Sequence, residues 1–288
     1  MVMMSAVMRG TIHALALMAI LGATRLASAG PETSKADSIY RCVNRDFSDL
    51  LQVHAPPEGI NPHYRKYLDA YGIPILGSGT VGNQALVFAK EIVIHMLSAR
   101  VDIRAALVEQ HTRVAILGVA DKFTDLPEMQ IWSGKQVPVG SSRTFDDVRG
   151  GGAVRGNPVA VTCERNLCGI NDPYLDRGFS VTVHEFAHTI QNLGLGKDEL
   201  NLIHEAFEHA LANHLYTRRN GENAYILQNE MEYFAGGSDL WFGTYEPQNP
   251  WSVSNMKDRQ DLKNRDPALF SILSRIYPDS DWKPPRTR

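Results

Sequence analysis

A chain of 288 residues, 43% hydrophobic and 21% charged, has an ordinary globular composition and is long enough to bury a sizeable core. With 29 Lys and Arg against 32 Asp and Glu, the formal net charge is -3, which gives no basis for a nucleic-acid partner.

The first 29 residues read as a secretory signal. Arg9 supplies the basic start, residues 14–23 an apolar run, and Ala27, Ser28 and Ala29 a small-residue cleavage site before Gly30. The run falls short of the roughly 20 residues that span a bilayer, and no later segment is long enough, so no stable membrane anchor is expected after cleavage. No cysteine stands at the cleavage site for a lipoprotein anchor. The expected location is outside the cell or in a periplasm.

After a polar stretch, "PETSKADS", the pattern from Tyr40 to about Val137 alternates helix and strand. "GIPILG" and "RVAILGV" read as short buried strands, "GNQALVFAKEIVIHMLSAR" has helical periodicity, and "DLPEM" reads as a turn. "SSRTFDDVRGGGAVRGNP" is rich in Gly, Ser and charge and reads as a loop, a candidate lid or cleft wall. "VAVTCE" can form a strand, with "NPVAVTCE" the candidate edge that pairs with an extended peptide. Helices are predicted over "VTVHEFAHTIQ", "DELNLIHEAFEHALANHLY", "ENAYILQNEMEYFA" and "DPALFSILSRIY", the last with Asp266 as N-cap and Pro267 in its first turn. No linker or repeat divides these parts. The expectation is an α+β unit over residues 30–288, with a boundary near residue 150 if it forms two lobes.

Export makes a disulfide plausible for a chain with three cysteines, Cys42, Cys163 and Cys168. "TCERNLC" sets Cys163 and Cys168 near enough in sequence to clamp a short loop, and that is the expected pair. Cys42 is then a buried thiol or a competitor for either partner.

"VTVHEFAHTIQ" carries the chemistry. His184 and His188 lie at i and i+4 on one helical face, so both imidazoles can reach one ion. Glu185, offset by about 100° of rotation, can sit beside the ion and act on the water it activates. This is the H-E-x-x-H pattern of zinc peptidases. A chance match somewhere in a chain with these His and Glu frequencies is expected at roughly two per cent, and the flanking Val181, Val183, Phe186, Ala187 and Ile190 mark a buried helix where unpaired His and Glu would be costly.

A catalytic zinc takes three protein ligands and leaves one position open. Two carboxylates compete for the third place: Glu208, 20 residues beyond His188, and Glu232. On continuous helical geometry Tyr225, Asn229 and Glu232 occupy i, i+4 and i+7 of one face. His204, His209 and Glu205 have a bland reading as surface helix residues, although Glu205 and His209 at i and i+4 leave a second metal site conceivable.

The run Y-x-x-x-N-x-x-E-Y-F-A, following H-E-F-x-H, resembles the anthrax lethal factor-like zinc peptidases. A wider resemblance, through "YRKYLDAYGIPILGSGTV", "TRVAILGVADKFTDLPEM" and "NPVAVTCERNLC", is to secreted proteins with a zincin-like core, and covers most of the chain from His63 to Phe242. It implies a zincin-like α+β fold with an active-site helix, a small sheet and a downstream glutamate-bearing helix. It also implies one zinc held by His184, His188 and Glu232, with Glu185 as base and Tyr225 assisting at the oxyanion. Asn229 would hold a ligand or a neighbouring backbone. The chain departs from the family pattern at Gly236, where a glutamate is usual, and Gly237 follows; Asp239, in the next turn, is the candidate replacement for that supporting carboxylate.

The functional expectation is a secreted zinc metallopeptidase acting on a peptide or protein substrate. Two alternatives stay open: a zinc-bound protein without turnover, motivated by Gly236, and a zinc amidase acting on a non-peptide substrate. Cleavage specificity and oligomeric state are not legible.

Overall fold

The computed structural model describes residues 52–137, 143–172, 178–249 and 251–285. The expected signal segment and Cys42 lie outside them.

Four strands form one mixed sheet in the order β1-β2-β3-β4: β1 (Lys66–Ala70), β2 (Ile73–Gly77), β3 (Arg113–Leu117) and β4 (Val159–Cys163). β1 and β2 are an antiparallel hairpin closed by Tyr71 and Gly72, with φ of 55° and 93°. Both signs suit a two-residue turn whose twist matches the strands. β2, β3 and β4 run parallel. The β2-to-β3 crossover carries α1 (Asn83–Met96) and α2 (Val101–Glu109), and short 3₁₀ turns connect β3 to β4.

The expected strands are all in this sheet, and their lack of polar alternation has a physical reason. Ile75, Val114, Ile116 and Ala160 face the helical core, whereas Leu76, Ala115, Leu117, Val159 and Val161 face a second core with Phe123, Leu126, Met129 and Phe145. Strands covered on both faces read as continuous apolar runs.

Beyond β4 the chain is helical: α3 (Glu164–Cys168), α4 (Val181–Thr189) running into a π turn (Ile190–Gly194), α5 (Lys197–Ala212), α6 (Glu230–Phe242), α7 (Arg259–Arg265) and α8 (Pro267–Ile276). Asp266 caps α8, accepting from the Leu269 amide at 3.0 Å, with Pro267 at the first position as expected. The class is mixed α+β.

Three expectations are corrected. The helix read over "ENAYILQNEMEYFA" begins only at Glu230; Tyr225 lies on a separate 3₁₀ turn, Tyr225–Leu227, and Asn229 is the N-cap of α6. Tyr225, Asn229 and Glu232 therefore do not share one helical face. Cys163 is a free, buried thiol, so no Cys163–Cys168 link forms. The four residues between them, read as a short loop, are instead helical: α3 runs from Glu164 to Cys168, with Cys163 as its extended N-cap, so the two cysteines stand at opposite ends of the helix. Finally, the outer edge of β4 is not free: Gly151 pairs with Val161 in an antiparallel bridge.

Candidate metal centre

The helix that carries the motif is fixed at its N-terminal end and along one side. Ser180 caps it, accepting from the Val183 amide at 3.3 Å, and Asn166 accepts from the Val181 amide at 2.8 Å while donating to the Phe179 carbonyl at 3.1 Å. Thr162 on β4 and Thr182 on α4 share a buried hydrogen bond of 2.7 Å. α4 packs against both β4 and α6, and the second of these contacts brings the third carboxylate in.

At that contact His184, His188 and Glu232 converge, all fully buried, with one ligand atom from each lying within 4.8 Å of the others. His184 Nε2 is 3.1 Å from His188 Nε2 and 3.1 Å from Glu232 Oε2, and His188 Nε2 is 3.8 Å from Glu232 Oε1. Donors about 2.0–2.1 Å from a tetrahedral ion stand roughly 3.3 Å apart, so this spacing fits one zinc-sized cation. Glu208 is elsewhere, exposed on α5, as are Glu205 and His209. His204 pairs with Glu230 at 2.9 Å in the same exposed region.

Asp239, about two helical turns beyond Glu232 on α6, lies with Oδ2 2.8 Å from His184 Nδ1. That contact orients the ring with Nε2 toward the other two donors, the arrangement that raises the basicity of a ligating histidine. Asn229 accepts a 3.0 Å bond from the Glu232 backbone amide, so it caps α6 at the turn that presents the glutamate. Tyr225, although on its own 3₁₀ turn, stays close enough to Glu232 for that carboxylate to raise its phenol pKa.

Gly236 and Gly237 have a packing role. A Cβ on Gly236 would lie 2.7 Å from Ile226 Cγ1, in the turn that carries Tyr225, and one on Gly237 would lie 2.6 Å from Leu269 Cδ2 on α8. The two glycines let the Tyr225 turn and α8 close onto α6.

The electrostatics follow from burial. Burial alone would lower the His184 pKa, but the Asp239 and then the Glu232 carboxylates outweigh it and raise it. Burial pushes His188 down to about 4. Glu232 is pushed up by burial and more strongly down by His188, His184 and Tyr225, with a net lowering. Asp239 is pushed up by burial to about 6, against the pull of His184. Burial raises the Tyr225 phenol well above its ordinary value, reinforced by the Glu232 charge.

Glu185 is the exception to this mutual pairing. It is 1% exposed, and neither carboxylate oxygen has a hydrogen-bond partner. Burial pushes its pKa up to about 8, partly offset by His184. The Gly152 amide lowers it slightly without reaching full hydrogen-bond geometry. A buried carboxyl left without a partner costs folding free energy, which is the usual mark of a functional group.

The segment read as a loop and a candidate lid or cleft wall includes residues 150–152, next to this helix. Gly150 lies beside Glu185 and Gly152 beside His188, both on α4, while Gly151 between them faces Phe123. In sequence that loop carries a general candidate role, and none falls to the individual glycines.

No family model matches the chain, and no curated protein does. Among solved structures it is similar to the PRO-PRO endopeptidase PPEP-2 from Paenibacillus alvei, at 19% identity and a TM-score of 0.46, covering 70% of this chain and 97% of that one. That likeness is too distant to support a functional reading, which has to stand on the geometry of the site.

Proposed function

We propose that this protein is a zinc-dependent metallopeptidase, exported from the cell by its N-terminal signal, that hydrolyses peptide bonds in a peptide or protein substrate. The observation that carries the reading is the pairing of two features: three buried donors spaced for one cation, and a fourth buried side chain, Glu185, left unpaired beside them. His184, His188 and Glu232 would hold the ion. When bound, zinc supplies a Lewis acid that polarises a carbonyl and makes a water acidic near neutral pH.

The chain's own residues supply the rest. Glu185 takes a proton from the attacking water and returns it to the leaving amine. Without a cation, burial holds this carboxyl near pKa 8; next to a divalent charge it ionises more readily, which brings it into the range for proton transfer near neutral pH. Asp239 holds His184 in the tautomer that presents Nε2. The Tyr225 phenol, near enough to Glu232 to feel its charge, donates to the oxyanion as charge develops. Its intact hydroxyl and the orphaned Glu185 argue against a zinc-binding protein without turnover, since neither is needed merely to bind an ion.

The test is hydrolysis of a peptide library by the mature chain with and without a chelator. Cleavage that chelation abolishes and added zinc restores is the expected result. Zinc bound without any chelator-sensitive cleavage would overturn the peptidase reading in favour of the binding one.

A further inference from the structure

Building on the peptidase reading, we propose that the segment Gly150-Gly151-Gly152 is a positioning element in which two glycines have separate tasks: Gly150 leaves room for the base Glu185, and Gly152 leaves room for the ligand His188.

The segment cannot retreat from the helix it covers. Gly151 is tied to β4 by two backbone bonds, its amide donating to the Val161 carbonyl at 3.1 Å and its carbonyl accepting from the Val161 amide at 2.7 Å. Just before it, Arg149 donates to the Asp121 carbonyl at 2.8 Å. Just after it, the Ala153 amide donates to Thr189 Oγ1 at 3.0 Å, and the Ala153 carbonyl accepts from Asn192 Nδ2 at 2.9 Å. Both of those partners lie on the motif helix or its π turn, so the segment is pinned to sheet and helix together.

What excludes side chains here is space. None of the three glycines has a positive φ, so their backbone conformations are open to any residue. A Cβ on Gly150, however, would lie 2.6 Å from Val181 Cγ1, 2.7 Å from Glu185 Oε1 and 2.8 Å from Glu185 Cγ. A Cβ on Gly152 would lie 2.5 Å from His188 Cβ and 3.2 Å from the Glu185 carbonyl oxygen. Between them, a Cβ on Gly151 would meet only the Phe123 ring, at 3.3 Å.

The two close contacts differ in what must give way. At position 150 part of the crowding falls on the free end of a carboxylate, which can swing aside. That displaces the base and leaves the three donors in place. At position 152 the obstacle is a Cβ fixed to the backbone of α4, so His188 shifts only with its helix, and a zinc ligand is displaced. Tolerances at such sites are near half an ångström.

The experiment compares Gly150→Ala and Gly152→Ala in the full mature chain, reading zinc affinity by competition with a chromogenic chelator, and kcat and KM on a peptide the wild type cleaves. Gly150→Ala is expected to bind zinc within about threefold of wild type, with kcat lower by roughly 10- to 100-fold and KM little changed. Gly152→Ala is expected to bind zinc at least about 10-fold more weakly, in the range typical for disturbing the support of a ligand. Should Gly152→Ala fail to fold, it is placed in a His188→Gly chain, which lacks the Cβ it strikes. Recovered folding there supports the steric assignment, and continued failure overturns it. Variants that lose zinc and kcat in the same proportion, or that lose neither, overturn the division of tasks. A wild-type chain that binds no zinc fails the peptidase reading itself, a result distinguishable from either.

Discussion

Glu185 is the residue on which the chemistry turns, because it is a buried carboxyl in the site with neither oxygen hydrogen-bonded. Glu185→Gln keeps its shape and removes its basicity, so zinc content and fold are expected to persist while kcat/KM falls by several orders of magnitude. Steady-state kinetics beside metal analysis checks this; near-normal cleavage would assign the proton transfer elsewhere. Tyr225→Phe separates catalysis from packing, since the ring is kept. A fall of roughly 100-fold in both kcat and kcat/KM, about 2.7 kcal/mol, is expected if the phenol acts on the oxyanion, with zinc content unchanged. Wild-type rates would remove it from the mechanism. Cys163 is the third case at this scale. Burial pushes its thiol up to about 12, so it is expected to stay unmodified by thiol reagents until the protein unfolds. With Cys163 free, peptide mapping of exported protein without reduction is expected to show Cys42 joined to Cys168.

At the scale of elements, some of the site was legible and some was not, for identifiable reasons. The His184–His188 pair follows from helical period alone, and α4 presents both rings as that period requires. The strands were readable as apolar runs bounded by Gly and Pro. The helix start before Glu232 was misplaced because "ENAYILQN" has apolar spacing compatible with a helix, while the actual signal is Asn229, an N-cap residue three positions before the glutamate whose amide it accepts. The Cys163–Cys168 pair failed because five residues that could span a short loop fold as α3 instead. Proximity of Gly150 to Glu185 and of Gly152 to His188 is a tertiary fact with no local periodicity to announce it. The glycine at 236, readable only as a missing carboxylate, serves packing against Ile226. Gly236→Glu, which inserts the residue usual in the resembling family, is therefore expected to destabilise the fold by about 1–3 kcal/mol through overpacking, measured as a lower urea midpoint. A variant of unchanged stability and higher activity would show that a supporting carboxylate was what the site lacked.

For the whole molecule, the donors come from two helices, with Glu232 far beyond His184 and His188 in sequence, and the sheet that supports α4 pairs strands from both sides of residue 150. Binding an ion across α4 and α6 therefore adds its free energy to the stability of the fold. At zinc concentrations about 1,000 times the dissociation constant this amounts to about 4 kcal/mol, and chelation is expected to lower Tm by roughly 10 °C. An unchanged Tm after complete zinc removal would contradict a site that spans the two helices. The most direct test of the central claim is metal analysis of the purified mature chain alongside Glu232→Ala and Glu208→Ala. About one zinc per chain in the wild type and in Glu208→Ala, with most of it lost in Glu232→Ala, is the expected result. Zinc retained by Glu232→Ala and lost by Glu208→Ala would contradict the centre described here.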